Sequence, residues 1–172
     1  MIYLTGFMGA GKTTVGAALG KTCNVPVFDT DQLIEKEQCQ SVQEMFREKG
    51  EPFFRNCETQ VLRKLAASKS RAIITTGGGI ITNPENRRIM RSSGTVFFLY
   101  CDIRTIKKRL ASDRTRPLLQ RFPGDELNRL YKKRLADYLE ANYTIHTTGK
   151  PVDGIVHEIL SVMYQASHNW VS

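Results

Sequence analysis

The chain has 172 residues, 41% of them hydrophobic, which suits one domain with a sizeable buried core and gives no indication of disorder. Its net charge of +8 comes from basic residues scattered through helical segments, with no run of five and no interleaved aromatics. That pattern favours anionic small molecules over nucleic acid, and no apolar run approaches the roughly 20 residues that span a membrane.

The first predicted element is a buried strand, Ile2-Tyr3-Leu4, and it runs into Gly6-Phe7-Met8-Gly9-Ala10-Gly11-Lys12-Thr13. This run fits G-x-x-x-x-G-K-[ST], the phosphate-binding P-loop, and Val15 to Leu19 continues it as a helix. Glycines let a backbone wrap a phosphate, and amides at a helix start present partial positive charge to it. Gly9, Ala10, Gly11, Lys12, Thr13 and Thr14 are therefore the expected nucleotide site. Lys12 reaches the β- and γ-phosphates in this reading, and the Thr13 hydroxyl ligates Mg2+. A nucleoside triphosphate is the expected ligand. The loop begins so early that a cleaved leader would remove it, so a cytoplasmic location is expected.

A second strand, Val25 to Phe28, ends in Asp29-Thr30-Asp31. If that end stays extended, both carboxylates project to one side, where α/β sheets place their ligands. The structural alternative makes Asp31 the N-cap of a helix from Gln32 to Glu37. Ser41-Val42-Gln43-Glu44 then fits a capping box. A long helix is predicted over Glu51 to Lys69, its apolar stripe of Phe54, Val61, Leu62 and Leu65 interrupted by Glu58. Arg55 flanks the stripe three residues from Glu58, so the two can pair on one face. Such a pair is either a structural bridge at the core edge or an arginine aimed at a substrate carboxylate and oriented by Glu58.

The third strand, Ala72 to Thr75, runs straight into Thr76-Gly77-Gly78-Gly79. Many P-loop enzymes end this strand in an aspartate; here the acid that supports Mg2+ must come from elsewhere, and Asp29 is the best placed. Three consecutive glycines point to a backbone that closely approaches a ligand. Asn83-Pro84 is a helix start, and Thr95 to Tyr100 reads as a strand buried on both faces. The helix from Ile103 to Ser112 gives way to Asp113-Arg114-Thr115-Arg116-Pro117, whose arginines suit a phosphate clamp. In the helix from Asp125 to Ala141, Arg134 lies within the apolar stripe of Leu127, Leu130, Tyr131, Leu135 and Tyr138, and should point inward. A strand from Tyr143 to His146, the pair Lys150-Pro151 and an amphipathic helix complete the chain. The three histidines have no partners at catalytic spacing, and the four cysteines lack metal-site spacing and read as reduced thiols.

Together, Gly6 to Thr13, Asp29-Thr30-Asp31, Phe54-Arg55 with Glu58, Thr76 to Gly79, Arg116-Pro117-Leu118-Leu119 and Arg134 resemble the shikimate kinase family, over residues 2 to 160. The resemblance implies a three-layer α/β/α P-loop kinase fold with a five-stranded parallel sheet in the order 2-3-1-4-5. It implies one domain over 1–172, with a substrate-binding helical region about 32–61 and a lid about 112–124. The implied reaction moves the ATP γ-phosphate to the 3-hydroxyl of shikimate, in aromatic amino-acid biosynthesis, with Mg2+ on Thr13 and, through water, Asp29. Asp31 would hold and activate that hydroxyl, with Lys12 and Arg116 neutralising the transferring group. Arg55 and Arg134 would bind the shikimate carboxylate, and Gly77, Gly78 and Gly79 would line the ring. Arg114 and Pro151 would lie beside the adenine. A monomer is expected, without nucleic-acid or membrane partners. The rival readings are a related kinase for another small acid, such as gluconate, and a catalytically silent nucleotide-binding module.

Overall fold

The computed structural model describes residues 1–112 and 125–168. At its centre lie five parallel strands: β1 (Ile2–Thr5), β2 (Val27–Asp29), β3 (Ile73–Thr75), β4 (Thr95–Tyr100) and β5 (Tyr143–His146). Their order is β2-β3-β1-β4-β5, as the resemblance implied. Parallel neighbours cannot be joined by tight turns, so helices make the crossovers. These are α1 (Lys12–Cys23), α2 (Thr30–Gln38), α3 (Val42–Glu48), α4 (Gly50–Ser68), α5 (Pro84–Ser93), α6 (Ile103–Ser112), α7 (Glu126–Leu139) and α8 (Val152–His168). A 3-10 turn at Ile80–Thr82 precedes α5.

Alternation along the strands divides the core between the two faces of the sheet. Tyr3, Ile74 and Phe98 pack on one face with Leu62 of α4, Met90 of α5, Ile106 of α6 and Tyr138 of α7. Their neighbours Leu4, Ile73 and Phe97 point the other way, against Val15 and Leu19 of α1 and Ile155 and Ile159 of α8. Burial on both faces is why β4 reads as an almost unbroken apolar run. A third cluster, Ile34, Met45, Phe54, Cys57 and Val61, joins α2, α3 and α4 into one helical unit. No helix among the described residues is long and apolar enough to cross a membrane.

Two helix starts follow the expected chemistry. The Ser41 hydroxyl accepts from the Glu44 amide at 3.2 Å, and the Glu44 carboxylate accepts from the Ser41 amide at 2.8 Å. The Asn83 side chain accepts from the Glu85 amide at 2.9 Å, with Pro84 in the first turn. The start of α2 departs from expectation. Its N-cap is Asp29, not Asp31, and one Asp29 oxygen accepts from the amides of Asp31 at 3.0 Å and Gln32 at 3.3 Å. The cause lies in the sheet: Asp29 is paired in register with Thr75, whose hydroxyl donates to the second Asp29 oxygen at 2.7 Å. Held from both sides, Asp29 ends the strand while Asp31 rises with the helix. The two carboxylates therefore do not project together from an extended strand end.

Candidate active site

Because β1 and β3 are hydrogen-bonded neighbours, the loop after β1 and the triple glycine after β3 emerge side by side at the carboxyl edge of the sheet. The first loop is closed by the Ala10 amide donating to the Phe7 carbonyl at 3.1 Å, and Gly11 opens α1 by accepting from the Val15 amide at 2.9 Å. Gly9 and Gly11 adopt φ of 77° and 96°, where a side chain would be strained. The loop thus delivers its amides to the start of α1, where the helix dipole favours an anion. Lys12 folds over the loop, its ammonium donating to the carbonyls of Gly6 at 2.8 Å and Phe7 at 3.1 Å. Thr13 and Thr14 are exposed in the first turn of α1.

The turn after β3 is packed by side chains from three helices. The Gly77 amide donates to the Thr30 hydroxyl at 3.0 Å, tying the turn to α2. A Cβ on Gly77 would sit 2.5 Å from an Asp31 carboxylate oxygen and 3.1 Å from one of Glu58, so two acids from different helices face one glycine. A Cβ on Gly78 would lie 3.4 Å from the Met8 amide nitrogen, because this residue rests on the first loop. A Cβ on Gly79 would overlap the Arg55 guanidinium. Arg55 is itself gripped by two carboxylates, donating from Nη1 to Glu58 at 2.7 Å and from Nε and Nη2 to Glu51 at 3.0 and 2.7 Å. From the opposite side, Arg134 of α7 donates to the Gly78 carbonyl at 3.3 Å, and Tyr138 donates to the same oxygen at 2.5 Å.

Burial sets the electrostatics of this cluster. Glu58 is wholly buried, and desolvation lifts its pKa to about 7 against the pull of the adjacent Arg55, with the Asp31 charge adding to the lift. Burial also opposes the charge on Arg55, but Glu58 and Glu51 outweigh it and raise that pKa. For Arg134 burial prevails, and the nearby Arg55 charge lowers its pKa further. Arg134 is thus the guanidinium whose charge is least compensated here, and a negative group beside it would favour that charge.

The structure thus brings Asp31, Arg55, Glu58, Gly77, Gly78, Gly79 and Arg134 together on one side and Gly9 to Thr14 on the other. Arg55 forms the ion pair with Glu58, and it does so against the glycine turn. Asp29 stands at the end of β2, bonded to Thr75. Pro151 is exposed at the start of α8, after a turn closed by the Lys150 amide on the Thr147 carbonyl at 3.2 Å. Arg114 and Arg116, with the expected lid beyond Ser112, lie outside the described residues. Two residues escaped the sequence reading. Arg109 donates to the Gly9 carbonyl at 3.0 Å, and its neighbours Ile106 and Leu110 pack on that same glycine. The sequence gives no sign of it, because α6 and the loop meet only in the fold. Tyr138 reads as one more member of an apolar stripe, and its hydroxyl in place of a leucine is the sole signal.

A family model described as shikimate kinase matches residues 8–164. A shikimate kinase of Bacillus cereus is 47% identical over 158 residues, covering 92% of this chain and 94% of that protein. Among solved structures, shikimate kinase from Acinetobacter baumannii in complex with shikimate matches with a TM-score of 0.88 at 36% identity, over 96% of this chain and 93% of that one. Shikimate kinase from Aquifex aeolicus gives 0.85 at 36% identity, over 96% and 97%.

Proposed function

The chain belongs to the shikimate kinase family and phosphorylates shikimate at the expense of ATP, within aromatic amino-acid biosynthesis; we propose that the phosphate goes to the 3-hydroxyl and that Asp31 holds and activates it. The observation that supports this division of roles is the convergence of Asp31, Arg55 and Arg134 on the Gly77–Gly79 turn, beside the P-loop. Arg55 and Arg134 take the substrate carboxylate. Arg55 is already fixed by Glu58 and Glu51, so it loses little rotamer freedom on binding. Gly77, Gly78 and Gly79 offer main-chain groups to the ring hydroxyls. Asp31 accepts the hydrogen bond of the 3-hydroxyl and takes its proton as that oxygen bonds to the γ-phosphorus and the bond from the γ-phosphorus to the β-phosphate oxygen breaks, releasing ADP.

On the donor side, Lys12 exchanges the Gly6 and Phe7 carbonyls for the β- and γ-phosphates, while the loop amides hold their oxygens. Arg109 steadies that loop through Gly9. Pro151 and, beyond the described residues, Arg114 are assigned to the adenine, and Arg116 to the phosphates. Phosphoryl transfer asks chiefly for positioning and charge neutralisation, which this arrangement supplies.

Mg2+ fits the residues present. The Thr13 hydroxyl and the Asp29 carboxylate are hard oxygen donors of the kind it takes. Asp29 already accepts three hydrogen bonds, so it would hold metal-bound water rather than the ion itself. Held by Thr13 and, through water, by Asp29, Mg2+ would supply positive charge to offset that of the phosphate oxygens. The same reading takes the enzyme to be a single-domain monomer of the cytoplasm, which sedimentation and cell fractionation check.

The decisive assay follows ADP release from ATP and Mg2+ with shikimate, with gluconate, and with neither. Turnover is expected only with shikimate. Release with gluconate alone, or none at all, would overturn the acceptor assignment.

A further inference from the structure

We propose that Tyr138 is a positioning residue of the acceptor site: its hydroxyl holds the Gly78 carbonyl in place so that Arg134 can leave that oxygen for the substrate carboxylate. This rests on the role given to Arg134 above. Arg134 and Tyr138 are one helical turn apart on α7 and donate to the same oxygen, at 3.3 and 2.5 Å. The arginine contact is the weaker of the two, and an arriving carboxylate is a better acceptor for a guanidinium than a neutral carbonyl. Once Arg134 turns away, Tyr138 keeps the Gly78 carbonyl bonded; without it, this part-buried acceptor would lose both side-chain donors.

The tyrosine is built to stay. It is 1% exposed, and its ring stacks on Phe98 of β4 with centroids 4.8 Å apart and planes 6° from parallel. Burial holds the phenol pKa well above its ordinary value, so the hydroxyl remains a donor at working pH. Packing alone does not pin Gly78, since even an added Cβ would stand only in ordinary contact with the backbone of the first loop, 3.4 Å from the Met8 nitrogen. A Gly78 peptide free to turn would present a different face to the ring hydroxyls. Packing alone does not require the hydroxyl, because phenylalanine fills the same space.

The test is Tyr138→Phe, which keeps the ring and removes the donor, compared with Arg134→Ala in steady-state kinetics with each substrate varied separately. Tyr138→Phe is expected to raise the KM for shikimate roughly 3- to 10-fold, the size of one net hydrogen bond, with a smaller effect on kcat and on the KM for ATP. An unchanged shikimate KM, with Arg134→Ala still raising it, would overturn the proposal and leave the carboxylate reading intact. Equal rises in both KM values with a lowered melting temperature would reduce Tyr138 to general fold support. No effect from either variant would overturn the carboxylate reading and this proposal together.

Discussion

Asp31 sits in the first turn of α2 with its backbone amide on Asp29 and a carboxylate oxygen against Gly77. Asparagine keeps that shape and the cap while removing the basic oxygen, so Asp31→Asn is expected to lower kcat on the order of 100-fold or more. The KM for ATP should stay within about twofold, because the P-loop is untouched. Glu58 makes a prediction in pH. Burial lifts it from 4.5 to about 7, so the folded protein keeps a proton that the unfolded chain has released. Its stabilising contribution is therefore complete below about pH 4.5 and is lost as the pH rises through about 7. Thermal melts should show wild type losing stability across that window, with Glu58→Gln flatter; parallel profiles would contradict the assignment. At this scale the sequence was informative where partners are local. Arg55 and Glu58 are three apart on one helix and pair as expected. Asp29 and Asp31 do not project together from an extended strand end, and the sequence hides the cause because Thr75, which fixes Asp29, lies 46 residues away.

Among the elements, the turn after β3 carries the sharpest steric demand. Gly79 faces the Arg55 guanidinium so closely that one methyl group displaces it. The far end of an arginine can move, so Gly79→Ala should fold but leave Arg55 off its seat. A shift of this kind is expected to raise the shikimate KM on the order of tenfold or more, with ATP affinity retained, as calorimetric titration of each ligand would show. The helices and strands themselves were legible because their signals are short-range: apolar runs for β1 and β4, a capping box for α3, Asn-Pro for α5. What each helix touches was not. Arg109 meets Gly9 because Ile106 and Leu110 dock α6 on the first loop, and Tyr138 meets Gly78 because Phe98 seats its ring.

For the whole molecule, ligand binding and folding are linked, since only the folded sheet assembles the P-loop. With ATP and Mg2+ at about 100 times Kd, the gain of about 2.7 kcal/mol should raise Tm by roughly 5–10 °C for a chain of this size, readable by scanning calorimetry. An unmoved Tm would argue against nucleotide binding by the folded state. The strand order itself was not readable from periodicity; it came from the family resemblance, because which parallel strands become neighbours is decided by contacts between distant segments. That order has a consequence for the chemistry. The proposed donor loop grows from β1 and the proposed acceptor turn from β3, and the Thr76 amide still bonds to the Leu4 carbonyl at 3.2 Å where the two strands part. Adjacent strands lie roughly 4.8 Å apart. The sheet therefore acts as a fixed gauge: main-chain bonds set the separation of the two lips across which, on the proposed reading, the phosphoryl group is handed. Side chains on either lip can be exchanged for a different acid or alcohol while the gap itself stays the same.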